Sequence, residues 1–197
     1  PNSKGDIRNA NCNAVLVQVR RRADVCYPSG LGEPYMSGLT PANFNALQAI
    51  INAAHDTTGG KKRIEVHCWV VVFRTAEGEV YDAHSDPSDP ENYWITRDDS
   101  GFEPDDKALD PGHPKAAQYV VDVCMDLVNN FDIDGIHYDY IRFTGSTQGY
   151  NPTSVARFNA RYGLTGQPPS GSELFKQWRR DQVTAIVRKV YALVQAS

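Results

Sequence analysis

Apolar and polar residues divide this chain into alternating segments of two periods. The run Asn13-Ala14-Val15-Leu16-Val17-Gln18-Val19-Arg20 is almost continuously apolar and short, which reads as a buried strand. Thr40 and Pro41 then suit an N-cap and a first helical position, predicting a helix to about Asp56 with Phe44, Leu47, Ile50 and Ile51 on one face. Gly59-Gly60 closes that segment. A second strand is predicted from Ile64 to Phe73, followed by a loop from Arg74 to about Pro111 rich in Asp, Pro, Gly and aromatics. Loops of that length are uncommon unless they carry function. Pro114 opens a helix to about Phe131, on which Tyr119, Val120, Val123, Cys124 and Leu127 recur at helical spacing. A third strand runs from Gly135 to Ile141, Asn151-Pro152 caps a short helix to Tyr162, and a last helix starts near Ser172-Glu173 and runs almost to the end. Asp6 to Asn11 reads as the tail of an earlier helix.

Strand, loop, helix in repeated order implies parallel pairing with right-handed crossovers, hence an α/β fold. Long connections follow the strands and short ones precede them, which suits a (β/α)8 barrel with its active face at the strand C-termini. An open doubly wound sheet would carry a Gly-rich phosphate turn after its first strand, and Arg20-Arg21-Arg22-Ala23-Asp24 stands there instead. Eight strands need about 250 residues. Residues 1–197 are therefore expected to be a single, incomplete barrel domain, about strands two to four with their helices. Such a piece should expose two strand edges and apolar surface, and so fold marginally or self-associate unless the missing barrel segments are supplied.

Composition narrows the partners. The net charge is −4, without the basic face expected of a nucleic-acid binder or a protein adsorbed to anionic lipid. No stretch is long and apolar enough to span a bilayer. The first residue is Pro rather than Met, so the chain is expected to be processed or cut from something longer, and a missing leader does not argue for the cytoplasm. The four cysteines form no C-x-x-C pair, so no structural zinc site is expected. Cys68 and Cys124 read as small buried apolar residues, and Cys12 and Cys26 lie too far apart along one strand to pair.

Strands covered on both faces should be wholly apolar, yet these three carry polar residues near their C-terminal ends. Gln18 and Arg20 alternate with Val17 and Val19; His67 and Trp69 with Val66, Cys68 and Val70; His137 and Asp139 with Ile136, Tyr138 and Tyr140. Side chains two apart share a face, so the polar set is expected to converge inside the barrel. Asp139 is the candidate catalytic acid, the plain alternative being a buried partner for Arg20 or Arg142. His137 and His67 are candidate substrate contacts or satisfied core histidines, and Trp69 a sugar platform or a core residue. Asp134 reads as structural, Arg21 and Arg22 as solvated.

The run from Phe131 to Phe143, FDIDGIHYDYIRF, closely resembles the signature of glycosyl-hydrolase-like family ten, a group of bacterial exported or lipid-anchored barrel proteins. Further matches occur in the family's order: Val17-Gln18-Val19-Arg20 with Tyr27-Pro28-Ser29, Glu65 to Trp69, Leu109 to Pro114, and Trp178 to Val183. Val71-Val72 stand where the family usually has Asn-Pro, and Ala23-Asp24-Val25 where it usually has Gly-Asp-Ala.

The resemblance implies hydrolysis of a polysaccharide or oligosaccharide, possibly a bacterial envelope glycan, by a secreted, periplasmic or lipid-anchored protein. It implies no cofactor or metal. Such chemistry needs two carboxyl groups, about 5–5.5 Å apart for retention or roughly 6.5–9.5 Å for inversion. Asp139 is the candidate for one, as nucleophile or base, held by Arg20 or Arg142. Gln18, Arg20, His67, Trp69, His137, Tyr140 and Arg142 are the candidate substrate contacts. Asp110 reads as a helix-start acid, so the second carboxyl is expected on a later strand, and no glycosidase activity from this piece alone. Two other classes stay open: a metal-dependent hydrolase built on His67, His137 and Asp139, and a non-catalytic carbohydrate-binding barrel.

Overall fold

A computed structural model describes residues 6–75 and 78–196. The elements are α1 (Asp6–Asn9), β1 (Ala14–Arg20), α2 (Ala46–His55), β2 (Glu65–Val71), α3 (Glu79–His84), α4 (Pro114–Asn130), β3 (Gly135–Asp139), α5 (Pro152–Tyr162) and α6 (Glu173–Ala196), with a 3-10 turn at Thr58–Gly60. The three strands form one parallel sheet in sequence order β1-β2-β3. The sheet, α4 and α6 fall where the period of the sequence places them.

Two elements differ from the sequence reading. Thr40-Pro41 does not start α2. Asn43 adopts a left-handed φ of 62°, which no helix can contain, so the helix begins three residues later. Asn45 is its cap, accepting from the Gln48 amide at 3.0 Å. The long loop also holds one unpredicted helix, α3, capped by Gly78.

The core lies on one side of the sheet. Val19, Val66, Cys68 and Val70 point into it, against Leu47 and Ile51 of α2 and Val120, Cys124 and Leu127 of α4, all nearly or wholly buried. Each such aliphatic side chain contributes about 1.5–3 kcal/mol by leaving water. All four cysteines are free, Cys12 exposed and the others buried. Burial pushes the Cys68 and Cys124 thiols up to about 12, which suits their reading as inert apolar filler. Tyr150, Phe158, Phe175 and Trp178 form a second, smaller cluster between α5 and α6, with the Phe175 and Trp178 rings stacked at 5.9 Å.

The other face of the sheet is open. Leu16 is 55% exposed, and Gln18 and His137 are exposed beside it. Parallel sheets are normally covered on both faces. With β1 and β3 both at edges, the described residues form a partial layer with the expected two free edges.

The long loop is fastened by one acid. Asp110 is fully buried and accepts from Thr96 Oγ1 at 3.0 Å, the Gly112 amide at 2.8 Å, Ser154 Oγ at 2.8 Å and the Asn151 amide at 3.4 Å. Asn151 in turn donates to the Tyr93 and Ile95 carbonyls, each at 2.9 Å. Burial raises the Asp110 carboxyl above its ordinary value, and these donors oppose the rise. Asp110 thus joins the loop to α5 rather than starting α4, whose N-cap is His113, accepting from the Ala116 amide.

Candidate active-site face

Parallel register sorts the polar side chains into rows across the open face. Leu16, His67 and Gly135 share one row, and Gln18, Trp69 and His137 the next. Asp139 pairs with Val71 one row higher, at the C-terminal end of β3. There the Trp69 indole donates to Asp139 Oδ2 at 3.0 Å, and the Tyr140 amide donates to Oδ1 at 2.8 Å. Each carboxylate oxygen therefore has its own donor, which fixes the orientation of the group. The Trp69 ring also meets His137 edge-on at 6.0 Å. Trp69, His137 and Asp139 thus come together, with Gln18 beside them.

Tyr140 ends the strand. Its φ of 53° is left-handed, a region costly for a bulky side chain and concentrated at functional sites. The guanidinium groups of Arg142 and Arg74 lie over its ring at 4.5 and 5.5 Å. Arg142 makes no ion pair with Asp139 among the described residues. Arg74 carried no signal in the sequence beyond opening the loop.

Arg20 does not join this face. The ladder shifts register between Gln18 and Arg20, so Arg20 pairs with Val70, whose side chain belongs to the core. A shift of one residue sends a side chain to the opposite face. Arg20 is 1% exposed; its Nε donates to Glu33 at 2.7 Å, and Nη1 donates to the Val71 and Val72 carbonyls. Tyr119 of α4 donates to the same Glu33 oxygen. Burial on its own would lower the guanidinium, but Glu33 and Tyr119 outweigh it and hold it above its ordinary value. Arg20 is therefore the structural partner of Glu33, and neither Arg20 nor Arg142 holds Asp139. Glu33 was not singled out in the sequence, where a lone acid among Gly and Pro reads as loop.

His67 also falls short of the acid. Its ring packs against Gly135, where an added β-carbon would come within 2.4 Å of Nδ1, and its Nε2 bonds Glu65 at 3.0 Å. Asp139 lies four residues further along β3, about 13 Å away. That spread is too great for His67, His137 and Asp139 to share one metal ion. No other group of three or more His, Cys, Asp or Glu side chains is placed to hold a metal among the described residues.

Asp134, at the entry of β3, anchors the opposite end of the sheet. It accepts from Arg63 at 2.6 Å and the Val66 amide at 2.8 Å, and pairs with His55 at 3.1 Å. Burial acts to raise its carboxyl, but these partners outweigh it and hold it below the usual range. No helix among the described residues is long and apolar enough to cross a membrane.

Residues 3–197 match the family model described as Glycosyl hydrolase-like 10. The chain is 24% identical over 201 residues to the glycosyl hydrolase YngK of Bacillus subtilis (strain 168), covering 98% of this chain and 36% of YngK. It is 24% identical over 194 residues to the glycosyl hydrolase DigH of Escherichia coli (strain K12), covering 93% of this chain and 41% of DigH. The chain thus spans about two fifths of the length of these relatives. Among solved structures it resembles alpha-L-fucosidase isoenzyme 2 from Paenibacillus thiaminolyticus, with a TM-score of 0.70 at 19% identity over 98% of this chain and 27% of the other. It also resembles the PgaB (BpsB) glycoside hydrolase domain from Bordetella bronchiseptica, with a TM-score of 0.62 at 17% identity over 94% and 52%. The fold is accordingly a partial barrel of the glycoside-hydrolase kind.

Proposed function

The chain belongs to the glycosyl hydrolase-like 10 family, and from that premise we propose that it forms part of an enzyme that hydrolyses glycosidic bonds in a polysaccharide, with Asp139 as one of the two reacting carboxyl groups. The observation that carries this reading is the seating of Asp139. It stands at the C-terminal end of β3, oriented by the Trp69 indole and the Tyr140 amide, at the end of the strand where barrel enzymes hold their chemistry.

Asp139 then acts as nucleophile or as general base toward water, and a second carboxyl protonates the leaving oxygen. Asp110 is occupied by four donors in the loop and α5, so the second carboxyl is placed on a strand end outside the three described here. His137 and Gln18 line the face below Asp139 as substrate contacts. Trp69, whose indole is committed to Asp139, serves as a positioning residue. The family resemblance extends the proposal to a bacterial exported or envelope-anchored protein acting on an envelope or other polysaccharide.

The test is turnover of a polysaccharide panel by the full-length protein, with and without Asp139→Asn. The substitution keeps the shape and should lower turnover on the order of 10²–10⁴-fold with an unchanged melting temperature. A fully active Asn variant would refute the assignment, and tight glycan binding without turnover in either protein would favour a binding barrel.

A further inference from the structure

Polar side chains converge in a second place, beside the end of β3. A groove of about 520 Å³ runs between the segment after Asp139 and the first turns of α6. Ile141, Arg142 and Phe143 form one wall, and Lys176, Arg180 and Val183 the other. No acidic side chain among the described residues lines it, although the chain as a whole carries a net charge of −4.

Its cations are not equally committed. Buried Arg179 also lines the groove, but it donates to the Ser146 and Gln148 carbonyls and so holds the loop. Lys176 pairs at 2.8 Å with Glu173, whose side chain is 78% exposed, a solvated contact that holds a lysine weakly. Arg180 is exposed and, among the described residues, hydrogen-bonds the neutral amide of Gln177, at 2.8 and 3.2 Å. Arg142 is exposed and has no carboxylate partner among the described residues, its guanidinium resting on the Tyr140 ring. Neither guanidinium has a carboxylate within ion-pair distance among the described residues; exposed Glu173, which pairs with Lys176, lies near enough to Arg180 to feel its charge but does not bond it.

We propose that this groove is a subsite for a carboxylate-bearing sugar unit, with Arg142 and Arg180 as its anion-binding residues, so that the enzyme acts on an acidic glycan. The proposal rests on the hydrolase reading of Asp139. Only Tyr140 and Ile141 separate Asp139 from Arg142 along the chain, with Tyr140 in its left-handed turn. A sugar unit bound in the groove is thereby a neighbour of the unit bound at Asp139. A guanidinium is a planar fork that matches a carboxylate with two parallel hydrogen bonds. Resting on an aromatic ring, it loses less freedom when it binds. Ile141, Phe143 and Val183 supply the apolar surface that a sugar ring's C–H face covers.

The experiment uses full-length protein carrying Asp139→Asn, so that binding is read without turnover. The probes are a uronic-acid oligosaccharide and the same oligosaccharide with its carboxyl groups reduced to alcohols, compared by calorimetry at low and high ionic strength. The acidic probe should bind about tenfold tighter or more at low salt, a preference of about 1.4 kcal/mol. That preference should shrink as salt rises. It should vanish in Arg142→Gln/Arg180→Gln while affinity for the reduced probe is kept, which also shows that the variant is folded. Arg142→Lys, which keeps the charge and loses the fork, should retain part of it. Equal affinities, a preference indifferent to salt or surviving both substitutions, or no binding of either probe would overturn the subsite. Turnover by the unmodified protein is scored separately. A salt-sensitive acid preference without turnover sinks the hydrolase reading and leaves the subsite. Turnover of neutral glycans with no acid preference does the reverse.

Discussion

Replacing Arg20 by Met separates a structural arginine from one serving the active site. Met keeps much of the volume and removes the charge. It leaves the Glu33 carboxylate, 1% exposed, without the guanidinium that faces it at 2.7 Å. The Val71 and Val72 carbonyls lose their donor as well. Breaking a buried ion pair from one side costs about 3–5 kcal/mol, because the remaining charge stays desolvated and unpaired. For a domain of this size each kcal/mol lowers the melting temperature by about 2–4 °C, so the variant should melt roughly 6–20 °C lower. Arg20→Met with Glu33→Leu removes both charges and should recover most of that loss. What stays lost is the hydrogen bond Tyr119 gives to Glu33, about 1 kcal/mol, together with the Arg20 donor to the Val71 and Val72 carbonyls, which neither substitution replaces. Thermal and urea unfolding of the full-length protein, as single variants and as a double-mutant cycle, measure these terms. A single variant that melts like the wild type yet loses turnover would refute the reasoning and return Arg20 to Asp139. A double variant no more stable than the single would also refute it.

Trp69→Phe keeps most of the ring packing and deletes the indole donor to Asp139. A hydrogen bond to a charged group contributes about 1.5–3 kcal/mol, so kcat should fall about 10- to 150-fold with KM little changed, a split that steady-state kinetics resolves. Gly112→Ala would place a β-carbon 2.6 Å from Ser154 Oγ and 2.7 Å from the Trp178 ring, both buried. Overpacking of this kind costs about 1–3 kcal/mol, to be read by urea denaturation. Asp134 is held below its ordinary range by Arg63, the Val66 amide and His55, so its contribution is complete above the usual carboxylate pKa of about 4 and lost as pH falls through its lowered value. Asp134→Asn should therefore be less stable than wild type at neutral pH, and melting curves of the two should converge on acidification below about pH 4.

Much of this arrangement was legible in residue spacing. Alternation of two in Val66-His67-Cys68-Trp69-Val70 separated a core face from an open face, and the structure keeps that division. The placement of Asp139 beside Trp69 and His137 follows from the same period, given parallel register. Arg20 is not legible in the same way. A register shift after Gln18 is a property of paired backbones, invisible in one strand's sequence, and it moved the most prominent cation of β1 to the other face. The start of α2 fails differently. Thr40-Pro41 is a sound local signal, but Asn45 with Gln48 three residues later is an equally good capping pair. The left-handed turn at Asn43 that decides between them is set by the surrounding loop. Glu33 and Arg74 were illegible because their importance lies in what they approach across the fold.

The open sheet has a consequence for its amide protons. Each strand's N–H groups point alternately to its two sides, and in a three-stranded layer only β2 has a hydrogen-bonded neighbour on both. The outer edge of β1 is met at its end by the Arg20–Val25 bridge, whereas on β3 no strand among the described residues pairs with the outward amides, while the inward ones are tied into the ladder. Deuterium uptake along β3 should therefore alternate residue by residue, fast and slow, whenever nothing lies alongside it. Where a further strand docks, as closure of a barrel would require, the fast positions fall silent and the alternation disappears. Those few amides on β3 are thus a built-in gauge of whether the layer around Asp139 has been completed.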